Sequence, residues 1–246
     1  RQNIPVDILP YGADLSSYDL ILAPMLYMEK ENAAERLREF VKKGGTLITT
    51  VMSGLADEND RCVFGAYPGK LKEMLGIWVE ETDALRPYEK NRMRLTDNLR
   101  LTEKEYDCGF LCDIIHPEGG AEALASYKDD FYAGTPCVTR NFFGKGRAYY
   151  IGTQPEQRFL EELVSHICNE CGLQPLYPSS EGVELCLRVS DKAKTVFAIN
   201  HNKTEAWVDF GPQKLTGLTD KKSLTGRIII APGDVLTAKI ETENNA

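Results

Sequence analysis

The segment Thr50-Val51-Met52-Ser53-Gly54 follows an apolar, β-branched run and has the outline of a nucleophile elbow, the strand-to-turn bend that lifts a reactive side chain above a sheet. Its central position is Met52. A thioether has no proton to lose and cannot form an acyl intermediate, and Ser53 stands one position off, pointing away from the elbow. A second stretch, Thr153-Gln154-Pro155-Glu156, stands between a late strand-like run and the closing helical pattern, where a base could face that turn. Glu156 is present, but the Gln154 amide cannot accept a proton near neutrality. Two essential positions are lost while their frame persists, which is the pattern of a scaffold with its catalysis removed.

Other groupings are weaker. Asp57-Glu58-Asn59-Asp60 could offer hard oxygen ligands to a cation, but the alternating-aspartate spacing of a calcium loop is absent, which favours a solvated or subunit-contact loop. Glu80-Glu81 and Asp129-Asp130 are adjacent pairs that face opposite ways on a strand and make no dyad. His116-Pro117-Glu118 precedes a glycine pair rather than a helix and reads as coincidence. His166 and His201 read as structural, and Trp78 and Trp207 as core or interface residues rather than sugar platforms. The seven cysteines are odd in number and follow no secretion signal, so reduced thiols in a cytoplasmic protein are expected. Cys168-Asn169-Glu170-Cys171 has redox or zinc spacing but lies at the end of a helical pattern, where thiolates gain nothing, and no second ligand pair accompanies it. Buried structural thiols and no metal or other cofactor are the expectation.

The elements that must position these residues follow from periodicity. Val6 to Leu9 and Tyr18 to Ala23 read as strands, Glu29 to Lys43 as a helix stopped by Gly44-Gly45, and Thr46 to Val51 as a buried parallel strand. Pro68 to Leu75 reads as a short helix. Gly109 to Ile115 and Ala123 to Tyr127 read as strands, Cys137 to Phe143 and Arg147 to Ile151 as a hairpin, and Pro155 to Cys171 as the closing helix. Residues 173–182 have linker composition. Beyond Gly182 the pattern alternates through short strands with turn signals between them. The expectation is an α/β doubly wound sheet over residues 1–177 and a small all-β sandwich domain over 183–246.

The 246 residues suit one or two domains. With 42% hydrophobic and 27% charged residues the chain is neither disordered nor collagen-like. A net charge of -8 without a basic patch argues against nucleic acid as a partner. No apolar run approaches the roughly 20 residues that span a bilayer, so no membrane partner is expected. The chain opens on Arg1-Gln2-Asn3-Ile4 and enters a strand-like run almost at once, which reads as a piece of a longer polypeptide.

Several ordered stretches resemble the β-galactosidases of glycoside hydrolase family 42. They are Tyr18-Asp19-Leu20-Ile21-Leu22-Ala23-Pro24-Met25-Leu26-Tyr27-Met28, Phe40-Val41-Lys42-Lys43-Gly44-Gly45-Thr46-Leu47, and the run Ser53 to Asp60. Tyr67-Pro68-Gly69 and Leu75 to Asp83 continue the series. The β half resembles the family more loosely, through Val196 to His201 and Ala231 to Val235. The resemblance implies an N-terminal catalytic barrel that this chain lacks, then a trimerisation domain similar to class I glutamine amidotransferases (flavodoxin-like), then a small β domain. The amidotransferase nucleophile is a cysteine where Met52 stands, and its His-Pro-Glu motif corresponds to Gln154-Pro155-Glu156. The two glutamates that cleave the galactoside and the family's zinc site belong to the barrel, so no catalytic or metal residue is carried across.

The reading is a non-catalytic module that joins a retaining β-galactosidase into a homotrimer, with itself and the missing barrel as partners. The candidate interface is Ser53, Asp57, Glu58, Asn59, Asp60, Arg61, Tyr67 and Trp78. One rival is a stand-alone sugar or small-molecule binding protein on the same scaffold. The other is a living amidotransferase or peptidase using Cys62 or Ser53.

Overall fold

The computed structural model describes residues 2–65, 67–191 and 193–241. Its contacts divide the chain into two compact units, Leu9–Cys171 and Arg1–Ile8 with Gly172–Ala246. The ends of both domains expected from the sequence, residue 1 and residues 242–246, lie outside the described residues.

The larger unit runs β1 (Leu20–Ala23), β2 (Met28–Glu29), α1 (Ala33–Lys43), β3 (Thr46–Thr50) and β4 (Ala56–Asp57). A 3-10 turn (Gly69–Leu71) leads into α2 (Lys72–Leu75). Then come β5 (Ile77–Ala84), β6 (Asn91–Leu95), β7 (Glu105–Pro117), β8 (Glu122–Tyr127), β9 (Pro136–Phe143), β10 (Gly146–Ile151), β11 (Thr153–Pro155) and α3 (Gln157–Glu170). Nine of these strands form one sheet in the order β1-β3-β10-β9-β8-β6-β7-β11, with β5 also on β7. Only β1, β3 and β10 are mutually parallel; every other pairing in that sheet is antiparallel. The fold is therefore mixed α/β, with a parallel corner continued by an antiparallel meander rather than a parallel sheet throughout.

Alternation across the parallel corner separates two cores. Leu47, Ala148 and Tyr150 join Leu37, Phe40 and Val41 of α1 and Met74 and Leu75 of α2. Ile48, Tyr149 and Ile151 join Phe159, Leu163 and Ile167 of α3. Helices thus cover opposite faces of the parallel corner. Helix α1 buries Ala33, Ala34, Leu37, Phe40 and Val41 as one stripe and carries Lys42 and Lys43 at its negative C-terminal end. Gly44, at φ 126°, stops it. The first residue of β10, Gly146, admits no side chain, because a Cβ there would overlap the carbonyl oxygens of Val41 and Gly45 at this helix end.

Three sequence expectations are corrected. Residues 6–9 form no strand. Pro5 and Pro10 bracket them and Pro cannot donate to a ladder; Val6 and Ile8 are exposed. The preceding Asn3 instead packs in the smaller unit, donating its amide to the Val183 carbonyl at 2.9 Å and accepting the Leu185 N–H at 3.0 Å. Helix α1 begins at Ala33 rather than Glu29, since Glu29 pairs with Asp57 between β2 and β4 and its buried carboxylate accepts the Lys70 N–H at 2.9 Å. Strands β5 and β6 were not expected, because their charged outer residues dilute the apolar alternation.

The smaller unit has a five-stranded antiparallel sheet and a two-stranded one. The first consists of β12 (Val183–Ser190), β13 (Ala193–Asn200), β18 (Val235–Ile240), β15 (Leu215–Gly217) and β16 (Ser223–Leu224). The second pairs β14 (Ala206–Asp209) with β17 (Arg227–Ile230). Val183, Leu185, Val196, Ala198 and Ala238 from the first meet Ala206, Val208 and Ile230 from the second in one core. Asn200 fastens the strand ends with its amide, which donates to the carbonyls of Thr204, Ile230 and Ala231 at 2.9, 3.0 and 3.0 Å.

Phe159 is fully buried and meets Tyr106 edge-on at 5.2 Å between ring centroids. Phe159→Ala is expected to destabilise the larger unit by about 3–5 kcal/mol, read as a lower urea midpoint by circular dichroism; a shift equivalent to under about 1 kcal/mol would show that α3 does not close that core.

Candidate functional site

At the end of β3 the chain turns sharply. Met52 adopts φ 67°, a left-handed conformation that a side chain with a Cβ resists by about 1 kcal/mol or more. Gly54 follows at φ 72°, where a Cβ would overlap the Pro68 carbonyl oxygen. The bend of an elbow is therefore present, with a half-buried methionine at its apex.

A chain of hydroxyl groups descends from that apex. The Met52 N–H donates to the Tyr67 hydroxyl at 2.7 Å, and the Tyr67 and Tyr150 hydroxyls are 2.9 Å apart. Tyr150 donates to Asp113 Oδ2 at 2.6 Å, and Thr82 donates to Asp113 Oδ1 at 2.6 Å. Because Tyr150 spends its one proton on Asp113, Tyr67 is the donor in the Tyr67–Tyr150 bond. The chain is thus directed from the elbow amide to the carboxylate. Asp113 is fully buried. Burial raises its pKa from 3.8 to about 6, and the hydrogen bonds it accepts, from Thr82 and then Tyr150, hold it from going higher. Tyr67 and Tyr150 are both raised above the ordinary phenol value, chiefly by burial, and stay protonated.

Ser53 lies beneath the turn. It is fully buried, accepts the Leu26 N–H at 3.0 Å and shares a 2.7 Å hydrogen bond with Thr49. Its hydroxyl fixes the loop after β1 against β3, which removes it both from nucleophilic duty and from any surface. Gln154 is exposed on β11, beyond the end of β10, and Glu156 caps α3 through its backbone without a side-chain bond. Among the described residues, Ser53 and Gln154 form no acid–base pair with each other or with Glu156 at Met52.

Residues 57–61 project from β4. Asp57 Oδ1 accepts the N–H groups of Asn59 at 2.8 Å and Arg61 at 3.0 Å, which lowers its pKa and commits the oxygen that a cation would use. Asp57 and Arg61 also close the turn through their backbones at 2.9 Å. Glu58, Asn59, Asp60 and Arg61 are exposed on this small closed turn, and Phe64 just beyond it is 97% exposed. Tyr67 directs its hydroxyl inward, into the chain described above. Trp78 is half-buried on β5 with one face taken by His116 at 4.2 Å, and His116 Nε2 lies 2.7 Å from Glu80. The structure therefore keeps Asp57 to Arg61 together on one surface and places Ser53 and the Tyr67 hydroxyl beneath it.

The cysteines are all free. Cys108, Cys112, Cys137 and Cys168 are buried, Cys171 and Cys186 partly so, and Cys62 is exposed. Burial pushes Cys108 up to about 12. Among the described residues no group of three or more His, Cys, Asp or Glu side chains is placed to hold a metal ion, and no helix is long and apolar enough to cross a membrane.

Sequence reasoning missed Asp113, Tyr150 and Thr82. The signal was a single aspartate inside the apolar run Leu111-Cys112-Asp113-Ile114-Ile115, which has no partner until β7 is folded beside β5 and β10.

A family model for the β-galactosidase trimerisation domain matches residues 1–174. A β-galactosidase of Planococcus sp. (strain 'SOS Orange') is 41% identical over 241 residues, covering 98% of this chain and 36% of that protein. One from Lactobacillus acidophilus is 42% identical over 221 residues, 89% of this chain and 32% of its own length. The crystal structure of a β-galactosidase from Bacillus circulans sp. alkalophilus superposes with a TM-score of 0.92 at 40% identity, covering 98% of this chain and 35% of that one. The chain spans about a third of the length of the curated relatives it matches.

The raised Asp113 pKa makes a pH prediction. The folded chain holds this proton more tightly than the unfolded chain, so the penalty for ionising Asp113 is small below about pH 4, grows up to about pH 6 and is complete above it. The stability of Asp113→Asn relative to the parent chain should therefore improve by roughly 2 kcal/mol between about pH 4 and about pH 7. Urea unfolding of both chains across that range measures it; a constant or opposite difference would refute the assignment.

Proposed function

Because the chain belongs to the family of β-galactosidase trimerisation domains, we propose that it is the assembly module of a β-galactosidase. It joins three copies about a closed threefold axis, each copy giving one surface and receiving another. The single observation that carries this reading is the family match over residues 1–174. Hydrolysis of terminal β-D-galactosides, with retention, is assigned to the catalytic barrel of the longer polypeptide in the cytoplasm. Glycoside cleavage needs two carboxylates across a sugar cleft; of the buried carboxylates among the described residues near the elbow, Asp113 is bound on both oxygens by hydroxyls of its own unit and Glu29 accepts the Lys70 N–H.

Residues 1–177 are read as an amidotransferase-like domain that has lost its chemistry, and 183–246 as a separate small β domain. Supporting this are the left-handed elbow at Met52 and the helices on opposite faces of the parallel corner. With Gln154 exposed and no base at the apex, a thiol at the elbow would stay mostly protonated near neutrality. Met52→Cys is therefore expected to release no ammonia from glutamine above a buffer blank; measurable release would mean that a base is at hand.

The giving surface is proposed to be the turn Asp57, Glu58, Asn59, Asp60 and Arg61 with the exposed Phe64, and Trp78 at its margin. Asp57 pre-orders the turn through its own carboxylate, so little entropy remains to be lost on docking. A bare phenylalanine beside mixed charges supplies an anchor and a register. Light scattering over a concentration series on the full chain should show a trimer, and Phe64→Asp should raise its dissociation constant at least about tenfold. A stable dimer, a monomer at every concentration, or a trimer indifferent to Phe64→Asp would overturn the assignment.

A further inference from the structure

Asp113 links segments far apart in the sequence. Its Oδ1 holds Thr82 of β5, its Oδ2 holds Tyr150 of β10, and through Tyr150 it reaches Tyr67 and the Met52 amide. Tyr67 also lies 3.4 Å from Oδ2. Through these bonds Tyr67, which follows β4 and precedes the 3-10 turn, is fastened to a buried carboxylate.

Among the described residues this carboxylate meets no opposite charge. From β5 it meets the Thr82 hydroxyl, from β10 the Tyr150 phenol, and from the turn the Tyr67 phenol. Tyr127 of β8 lies close by and spends its own hydroxyl on the Gly152 carbonyl at 3.0 Å. The neighbouring Cys112 thiol is raised by burial and stays neutral. No lysine, arginine or histidine contributes to Asp113. An ionised carboxylate served only by hydroxyl groups is better solvated by water than by this site. The one cover that can lift without breaking a strand of the nine-stranded sheet is Tyr67, which lies between β4 and the 3-10 turn and is bonded at its hydroxyl and at a bridge to Val79.

We propose that Asp113 is a proton-operated latch on the Tyr67 turn: with its proton it keeps Tyr67 seated on the elbow of β3, and loss of that proton to solvent favours lifting of Tyr67 and entry of water. Thermodynamic linkage sets the sign. The seated state desolvates the carboxylate and the lifted state exposes it, so the lifted state binds the proton less tightly and gains population as pH rises. With the seated value at about 6 and an ordinary value of 3.8 when lifted, the opening constant should rise about tenfold between about pH 5 and about pH 7.5. The bearing on assembly rests on the trimer reading above, because Arg61 and the exposed Phe64 of the proposed surface lie a few positions before Tyr67 in the sequence.

Amide hydrogen exchange on the full chain, corrected for intrinsic base catalysis, tests the latch at the Met52 N–H, which loses its acceptor only when Tyr67 lifts or the unit unfolds. The Ile48 amide in β3 reports global unfolding in the same sample. The expected result is a Met52 opening constant larger than that of Ile48 and rising about tenfold over that pH range. Asp113→Asn should abolish the rise. Tyr67→Phe should leave the Met52 amide open at every pH. A Met52 opening constant that is flat with pH, that tracks Ile48 throughout, or that rises equally in Asp113→Asn would overturn the latch. The comparison of Met52 with Ile48 in the unmodified chain decides even if a variant fails to fold. Sedimentation at the two pH values tests the consequence separately: weaker association at the higher pH is expected, and absence of association at both would defeat the trimer reading while leaving the exchange result to judge the latch.

Discussion

Burying the Asp113 carboxylate without a cation would cost several kcal/mol if its lone pairs were left bare, and the arrangement of the larger unit around it follows from meeting them. Thr82 must come from β5, which brings β5 alongside the second half of β7. Tyr150 must come from the fully buried end of β10, whose neighbour β3 supplies the elbow. Tyr67 must come back from the surface stretch after β4. Hydroxyl groups suit this task because each can accept one bond and donate the next, so a backbone N–H at one end and a carboxylate at the other are both satisfied. The same restriction to neutral donors leaves the carboxylate under-solvated, so the network that orders these segments is also a weak point in the unit.

The frame was legible in the sequence where local pattern and packing agree. The stripe Ala33, Ala34, Leu37, Phe40 and Val41 followed by Gly44-Gly45 announces α1 and its end, and Gly144-Lys145-Gly146 between two apolar runs announces the β9–β10 hairpin. The elbow was legible as well, since a β-branched run ending in Met52-Ser53-Gly54 leaves few other turns. What was not legible depended on partners distant in sequence. Asp113, Tyr150 and Thr82 are separated by 31 and 37 residues along the chain, and nothing in any one segment marks it as one third of a site. Residues 6–9 differ for the opposite reason: their apolar side chains fit a strand, but the flanking Pro5 and Pro10 deny it a ladder. Ser53 and Tyr67 read as surface residues from their polar, loop-like context, yet both hydroxyls turn inward because the elbow leaves backbone N–H groups at Leu26 and Met52 that need acceptors.

Met52 itself joins these strands of argument. A left-handed methionine is held against a backbone preference of about 1 kcal/mol or more, and no reacting group now gives a reason for the bend. The bend nevertheless does three structural things at once. It presents the Met52 N–H to Tyr67. It turns Ser53 under the loop after β1, where it meets Leu26 and Thr49. It brings Gly54 against the Pro68 carbonyl, so close that no side chain would fit. Straightening the turn would leave two N–H groups without acceptors, at roughly 1–3 kcal/mol each when buried, which exceeds the relief in backbone strain. The elbow therefore persists on packing and hydrogen bonding alone, and its Met52 N–H is what holds the Tyr67 hydroxyl in place.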